Sequence, residues 1–73
     1  MTRLPVCSGA RAIRAFERAG WTRDRQKGDH VSLIKPGSSR VLTVPLHKEL
    51  ARGTLRRLIR DAGLTVEEFL KLL

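Results

Sequence analysis

Two short strings hold the residues of this chain that can do chemistry. Lys27-Gly28-Asp29-His30 sets an imidazole just after a tight-turn pair, and Val44-Pro45-Leu46-His47 supplies a second imidazole downstream. Histidine is the side chain whose ordinary pKa lets it give and take protons near neutrality. The chain around the two rings is strongly basic, with fifteen Lys and Arg against seven Asp and Glu and a formal net charge of +8. A basic surface holds phosphate, so an imidazole set in it points to acid–base cleavage of RNA rather than to RNA binding alone.

The distribution of charge says more than its sum. Residues 1–60 contain fourteen bases and four acids, whereas residues 61–73 contain Lys71 against Asp61, Glu67 and Glu68. The positive charge therefore belongs to the folded body and not to a tail. Such a field attracts polyanions, and binding through it weakens steeply as salt rises. An acidic protein partner suits the same field, and a passive basic protein kept soluble by its charge is the plainest alternative.

Length and composition exclude several classes. Seventy-three residues make one domain, and a chain of this size buries only roughly 60% of its unfolded surface, so its core is small. The single cysteine, Cys7, allows no internal disulfide and no thiolate metal cluster, which suits a reducing cytoplasm. No apolar run approaches a membrane span, and Arg3 is not followed by the apolar stretch of a signal peptide. Two histidines and scattered carboxylates make no metal-ligand motif, so neither metal nor cofactor is expected. There is also no phosphate-binding glycine loop and no nucleophile elbow.

The elements that must position the histidines follow from the spacing. Ser8 suits an N-cap, Ala12, Ile13, Phe16 and Ala19 recur at helical intervals, and Gly20 supplies the stop. Trp21 to Lys27 and His30 to Lys35 read as two strands joined by a two-residue turn at Gly28-Asp29. Pro36-Gly37-Ser38-Ser39 is a second turn of type II character, and Arg40 to Val44 a third strand that Pro45 ends. A helix starts near Gly53-Thr54 with Leu55, Leu58, Ile59 and Ala62 on one stripe. Thr65 and Glu68 then form a capping box ahead of Val66, Phe69, Leu70 and Leu73. The order α-β-β-β-α-α is an α+β fold, an antiparallel meander with helices on one face and the other face free.

On that free face the two-residue turn sets Lys27 opposite His30, Arg25 opposite Ser32 and Arg23 opposite Ile34. Val31 and Leu33 point the other way, towards the helices. Arg23, Arg25, Lys27 and Ser32 then surround His30 as phosphate-binding groups, provided the register holds, since a one-residue slip scatters them. Surface histidines are more often plain polar residues than catalysts, so spacing alone leaves His30 open between the two. Trp21 is expected to seal the junction of the first helix and the sheet rather than stack on a base. Arg56 and Arg60 fit a solvated helix face as well as a phosphate contact, and Cys7 reads as a small structural residue.

Gly20-Trp21, Gln26-Lys27-Gly28-Asp29-His30, Val44-Pro45-Leu46-His47, Gly53-Thr54-Leu55-Arg56 and Asp61-Ala62-Gly63-Leu64 together resemble the HicA family of toxins. Each string is weak alone, and their order and spacing are specific from about Leu4 onward. The resemblance implies a double-stranded-RNA-binding-like fold. It also implies an mRNA-cleaving ribonuclease that blocks translation and is held inactive by a HicB-type antitoxin. The family's usual turn is Gly-Ser-His, and its catalytic histidine falls on His30. This chain has Asp29 where serine is usual, and completing the turn is the expected role, with orientation of the imidazole as the alternative. His47 matches the family's Pro-x-His string, with a supporting or a structural role.

Two other classes of function remain open. A non-catalytic RNA-binding module using the same basic face binds RNA without cutting it. A pure interaction protein captures an acidic partner and has no RNA affinity at moderate salt.

Overall fold

The computed structural model describes residues 3–73. Helix α1 runs Gly9–Arg18, strands β1, β2 and β3 run Thr22–Lys27, His30–Ile34 and Leu42–Pro45, and helices α2 and α3 run Arg52–Asp61 and Val66–Leu72. The sheet is antiparallel in the order β1-β2-β3. This is the expected α+β architecture, and the element boundaries differ from expectation by only a few residues.

Local chemistry accounts for the boundaries. The Ser8 hydroxyl accepts the Arg11 amide proton at 3.1 Å and starts α1. Thr65 accepts from the Glu68 amide at 3.1 Å while the Glu68 carboxylate accepts from the Thr65 amide at 2.9 Å, the expected capping box. The Ser38 amide donates to the Lys35 carbonyl at 3.1 Å across Pro36 and Gly37, with Gly37 at φ 83°, which is a type II turn. Helix α2 begins at Arg52 behind Ala51, a residue with no capping side chain, so its start carries no residue-level signature.

Trp21, Phe16, Ile13, Val31, Leu33, Leu42, Val44, Leu55 and Phe69 are among the residues of one hydrophobic core. The Phe16 and Phe69 rings meet with centroids 5.2 Å apart and tilted by 43°, joining α1 to α3. Val31 and Leu33 face this core as expected, and Trp21 is buried at the end of α1. Leu70, expected on the apolar stripe of α3, stands 36% exposed instead, because Phe69 takes the inward position. Along β2 and β3 buried residues alternate with exposed or half-buried ones, so the helices cover one face and leave the other to solvent.

Candidate functional site

The site is built on the β1–β2 hairpin. Gly28 has φ 60° and, among the described residues, none other than glycine has positive φ, so the Gly28-Asp29 pair forms the turn with glycine first that hairpin twist favours. Lys27 then pairs with His30, Gln26 with Val31 and Arg25 with Ser32. Because Val31 is buried, Lys27, His30, Arg25 and Ser32 share the opposite, open face. Strand β3 completes it, with Pro45 beside His30 and Thr43 beside Ser32.

Arg23 departs from expectation. The register shifts between Arg23 and Arg25, so that Asp24 is an extra residue and Arg23 pairs with Leu33 instead of Ile34. Leu33 faces the core, and Arg23 therefore turns to the helix side, where its Nε lies 3.8 Å from Oε2 of Glu17 in α1. The cationic set around His30 is thus Lys27 and Arg25, without Arg23. Arg25 Nε is itself 3.8 Å from the Asp24 carboxylate.

The Asp29 side chain, at the turn, approaches both imidazoles. One of its carboxylate oxygens lies 3.1 Å from His30 Nδ1, and the other lies 3.7 Å from His47 Nε2. A single carboxylate thus stands between the two imidazoles of the chain. All three side chains stay 55–60% exposed, open to a large ligand.

Backbone contacts hold His47 in this place. The Leu46 amide donates to the Asp29 carbonyl at 2.6 Å, continuing the β2–β3 pairing beyond Pro45. The Gly9 amide donates to the His47 carbonyl at 2.9 Å, and the Leu50 amide to the Cys7 carbonyl at 2.8 Å. A Cβ at position 9 would overlap the Pro45 carbonyl oxygen, so only glycine lets α1 approach this closely. The start of α1 therefore clamps the segment that carries the second imidazole.

The remaining sequence candidates fall outside this group. Cys7 is buried, its Sγ donating to the Ser8 carbonyl at 3.2 Å, and burial pushes its thiol above the ordinary value against the opposing pull of Arg11. Arg56 lies exposed on α2, and Arg60 lines an open cavity of about 430 Å³ with Trp21, Lys35, Arg40 and Asp61. That cavity lies past the Ile34 end of β2, away from His30, so the histidine site is an open surface and not a pocket. Among the described residues, no cluster of three or more His, Cys, Asp or Glu side chains is arranged to hold a metal ion. Among them also, no helix is long and apolar enough to cross a membrane.

Comparison with curated proteins gave no significant match. A solved structure described as a toxin–antitoxin complex from Streptococcus pneumoniae contains a chain 33% identical to this one, with a TM-score of 0.68 over 78% of this chain and 97% of that chain. The family model of the HicA toxin of bacterial toxin–antitoxin systems matches residues 9–64, a span that takes in the turn, both histidines and the glycine clamp. With most of its length matched in this way, the chain belongs to the HicA toxin family.

Proposed function

We propose that this chain is a metal-independent endoribonuclease that cleaves mRNA on the open face of its sheet and so blocks translation, with His30 as the catalytic base. Membership of a toxin family supplies the biological frame. The observation that carries the chemistry is the His30 ring on a solvent-open cationic face, with Asp29 at 3.1 Å on its Nδ1 side and Lys27 directly across the strand pair.

In this reading His30 removes the proton from a 2′-hydroxyl, and the 2′-oxygen attacks the neighbouring phosphorus. The bond to the 5′-oxygen breaks, leaving a 2′,3′-cyclic phosphate and a 5′-hydroxyl. Lys27 and Arg25 stabilise the charge that builds on the phosphate oxygens, and Ser32 adds a hydroxyl contact to the RNA backbone. Asp29 holds the His30 ring with its other nitrogen outward. The 73 residues act as one domain in the cytoplasm, and the partner is a HicB-type antitoxin that covers this face and excludes RNA.

The test is incubation of wild type and His30→Ala with a defined RNA in EDTA. Wild type is expected to cut, and the variant to bind with similar affinity while losing roughly 10²–10⁴-fold in rate. Binding by both proteins with cleavage by neither would replace this reading with a passive RNA-binding module.

A further inference from the structure

The shared carboxylate carries the chemistry one step further. A single histidine that takes a proton from the nucleophile must find some way to return one to the leaving oxygen. His30 Nδ1 lies 3.1 Å from an Asp29 carboxylate oxygen, which leaves Nε2 as the ring nitrogen away from that carboxylate for both transfers. The second ring of the chain lies on the other side of that carboxylate, at 3.7 Å.

Resting on the nuclease reading, we propose that His47 is the second proton-transfer residue of the site, the acid to the base His30, with Asp29 serving both rings. The His47 nitrogen nearest Asp29 is Nε2, at 3.7 Å, so Nδ1 is the nitrogen assigned to the substrate, as Nε2 is in His30. The step balances within the group. His30 starts neutral and gains the 2′-hydroxyl proton. The 2′-oxygen forms its bond to phosphorus as the bond to the 5′-oxygen breaks, and that oxygen takes its proton from the protonated His47. One imidazolium and one carboxylate are present before and after, so the charge moves from one side of Asp29 to the other without changing in sum.

The backbone makes this a built arrangement and not a chance approach of two surface rings. Leu46 is tied to the carbonyl of Asp29 at 2.6 Å and His47 to the amide of Gly9 at 2.9 Å. Both imidazoles thus stand on one hydrogen-bonded unit, each more than half exposed, at the rim of the face that carries Lys27 and Arg25. Held geometry of this kind is what acid–base catalysis requires of its two partners.

The test separates an acid from a structural or binding residue by changing the leaving group. The bond that wild type cuts is first mapped on a short RNA. The same RNA is then made with sulfur in place of the 5′-bridging oxygen, a leaving group that departs without a proton. Expected for His47→Ala is a loss of roughly 10²-fold or more on ordinary RNA, but a rate within about threefold of wild type on the sulfur substrate. His30→Ala is expected to stay impaired on both. If His47→Ala does not fold by circular dichroism, His47→Gln takes its place in the same comparison. Equal losses on both substrates, or no loss on ordinary RNA, would overturn the acid role of His47 while leaving the nuclease reading intact. Wild type inert on both substrates would overturn the nuclease reading, and this assignment with it.

Discussion

The Leu46 amide and the Asp29 carbonyl are joined by a hydrogen bond of 2.6 Å, which makes the turn before His30 and the segment before His47 a single backbone unit. The Asp29 side chain then meets both rings. Asp29→Asn keeps a residue suited to the turn and removes the charge. An exposed charge pair contributes at most about 1 kcal/mol, so cleavage is expected to fall by up to about fivefold with the circular dichroism spectrum unchanged. A rate equal to wild type would confine Asp29 to its role in the turn.

Gly9 separates packing from chemistry. In Gly9→Ala the new methyl group meets the Pro45 carbonyl, and relieving that overlap costs about 1–3 kcal/mol. For a domain of this size the melting temperature is expected to fall by roughly 5–20 °C. Gly53→Ala is the contrasting variant, because position 53 lies in α2 with open space around it, and its melting temperature is expected to rise slightly. Thermal unfolding followed by circular dichroism reads both, and equal melting temperatures for the two variants would contradict the clamp.

The shifted register sets two arginines apart. Arg25 shares the face of His30, whereas Arg23 is turned towards Glu17. Arg25→Ala is expected to weaken RNA binding and to lower the slope of log affinity against log salt by about one. Arg23→Ala is expected to leave that slope unchanged. The measurement is RNA affinity of the three proteins across a salt series, and equal slopes for the two variants would show that both arginines face the RNA.

How much of this was readable from residues depends on the distance over which each feature is decided. The Ser8 cap, the Thr65–Glu68 box, the Pro36-Gly37 turn and the Lys27–His30 pairing are settled within four positions, and all of them appear as expected. The bulge at Asp24 was not readable, because β1 is polar and exposed at every position and has no apolar alternation to fix its register. The start of α2 falls at Arg52, one position before Gly53, and Ala51 offers no cap that would fix it to the residue. The placement of His47 against Asp29 depends on contacts between Leu46 and Asp29 and between Gly9 and His47, which join separate parts of the chain. The Pro-x-His string marked the residue but not its neighbour.

Cys7 provides a check on the core that is independent of RNA. Burial raises its thiol above the ordinary value of 9.0, so the folded state holds the proton more tightly than the unfolded chain does. Stability from this group is fully present below the unfolded thiol value and is lost as pH rises through the raised folded value. A Cys7→Ala variant is therefore expected to lose less stability than wild type between neutral pH and about pH 10, measured by urea unfolding. An alkylating reagent is expected to leave the native thiol untouched and to modify it in urea. Rapid alkylation of the folded protein would contradict the burial.

The central claim is that the RNA supplies its own nucleophile and His30 draws the proton from it. The most direct measurement uses an RNA in which the single nucleotide 5′ to the mapped cleavage bond lacks its 2′-hydroxyl, incubated with wild type in EDTA. Cleavage at that bond is expected to vanish while the RNA still binds, and the unmodified RNA is expected to give 5′-hydroxyl and cyclic-phosphate ends. Cleavage of the 2′-deoxy bond at an undiminished rate, with 5′-phosphate ends, would contradict the account and assign the attack to water.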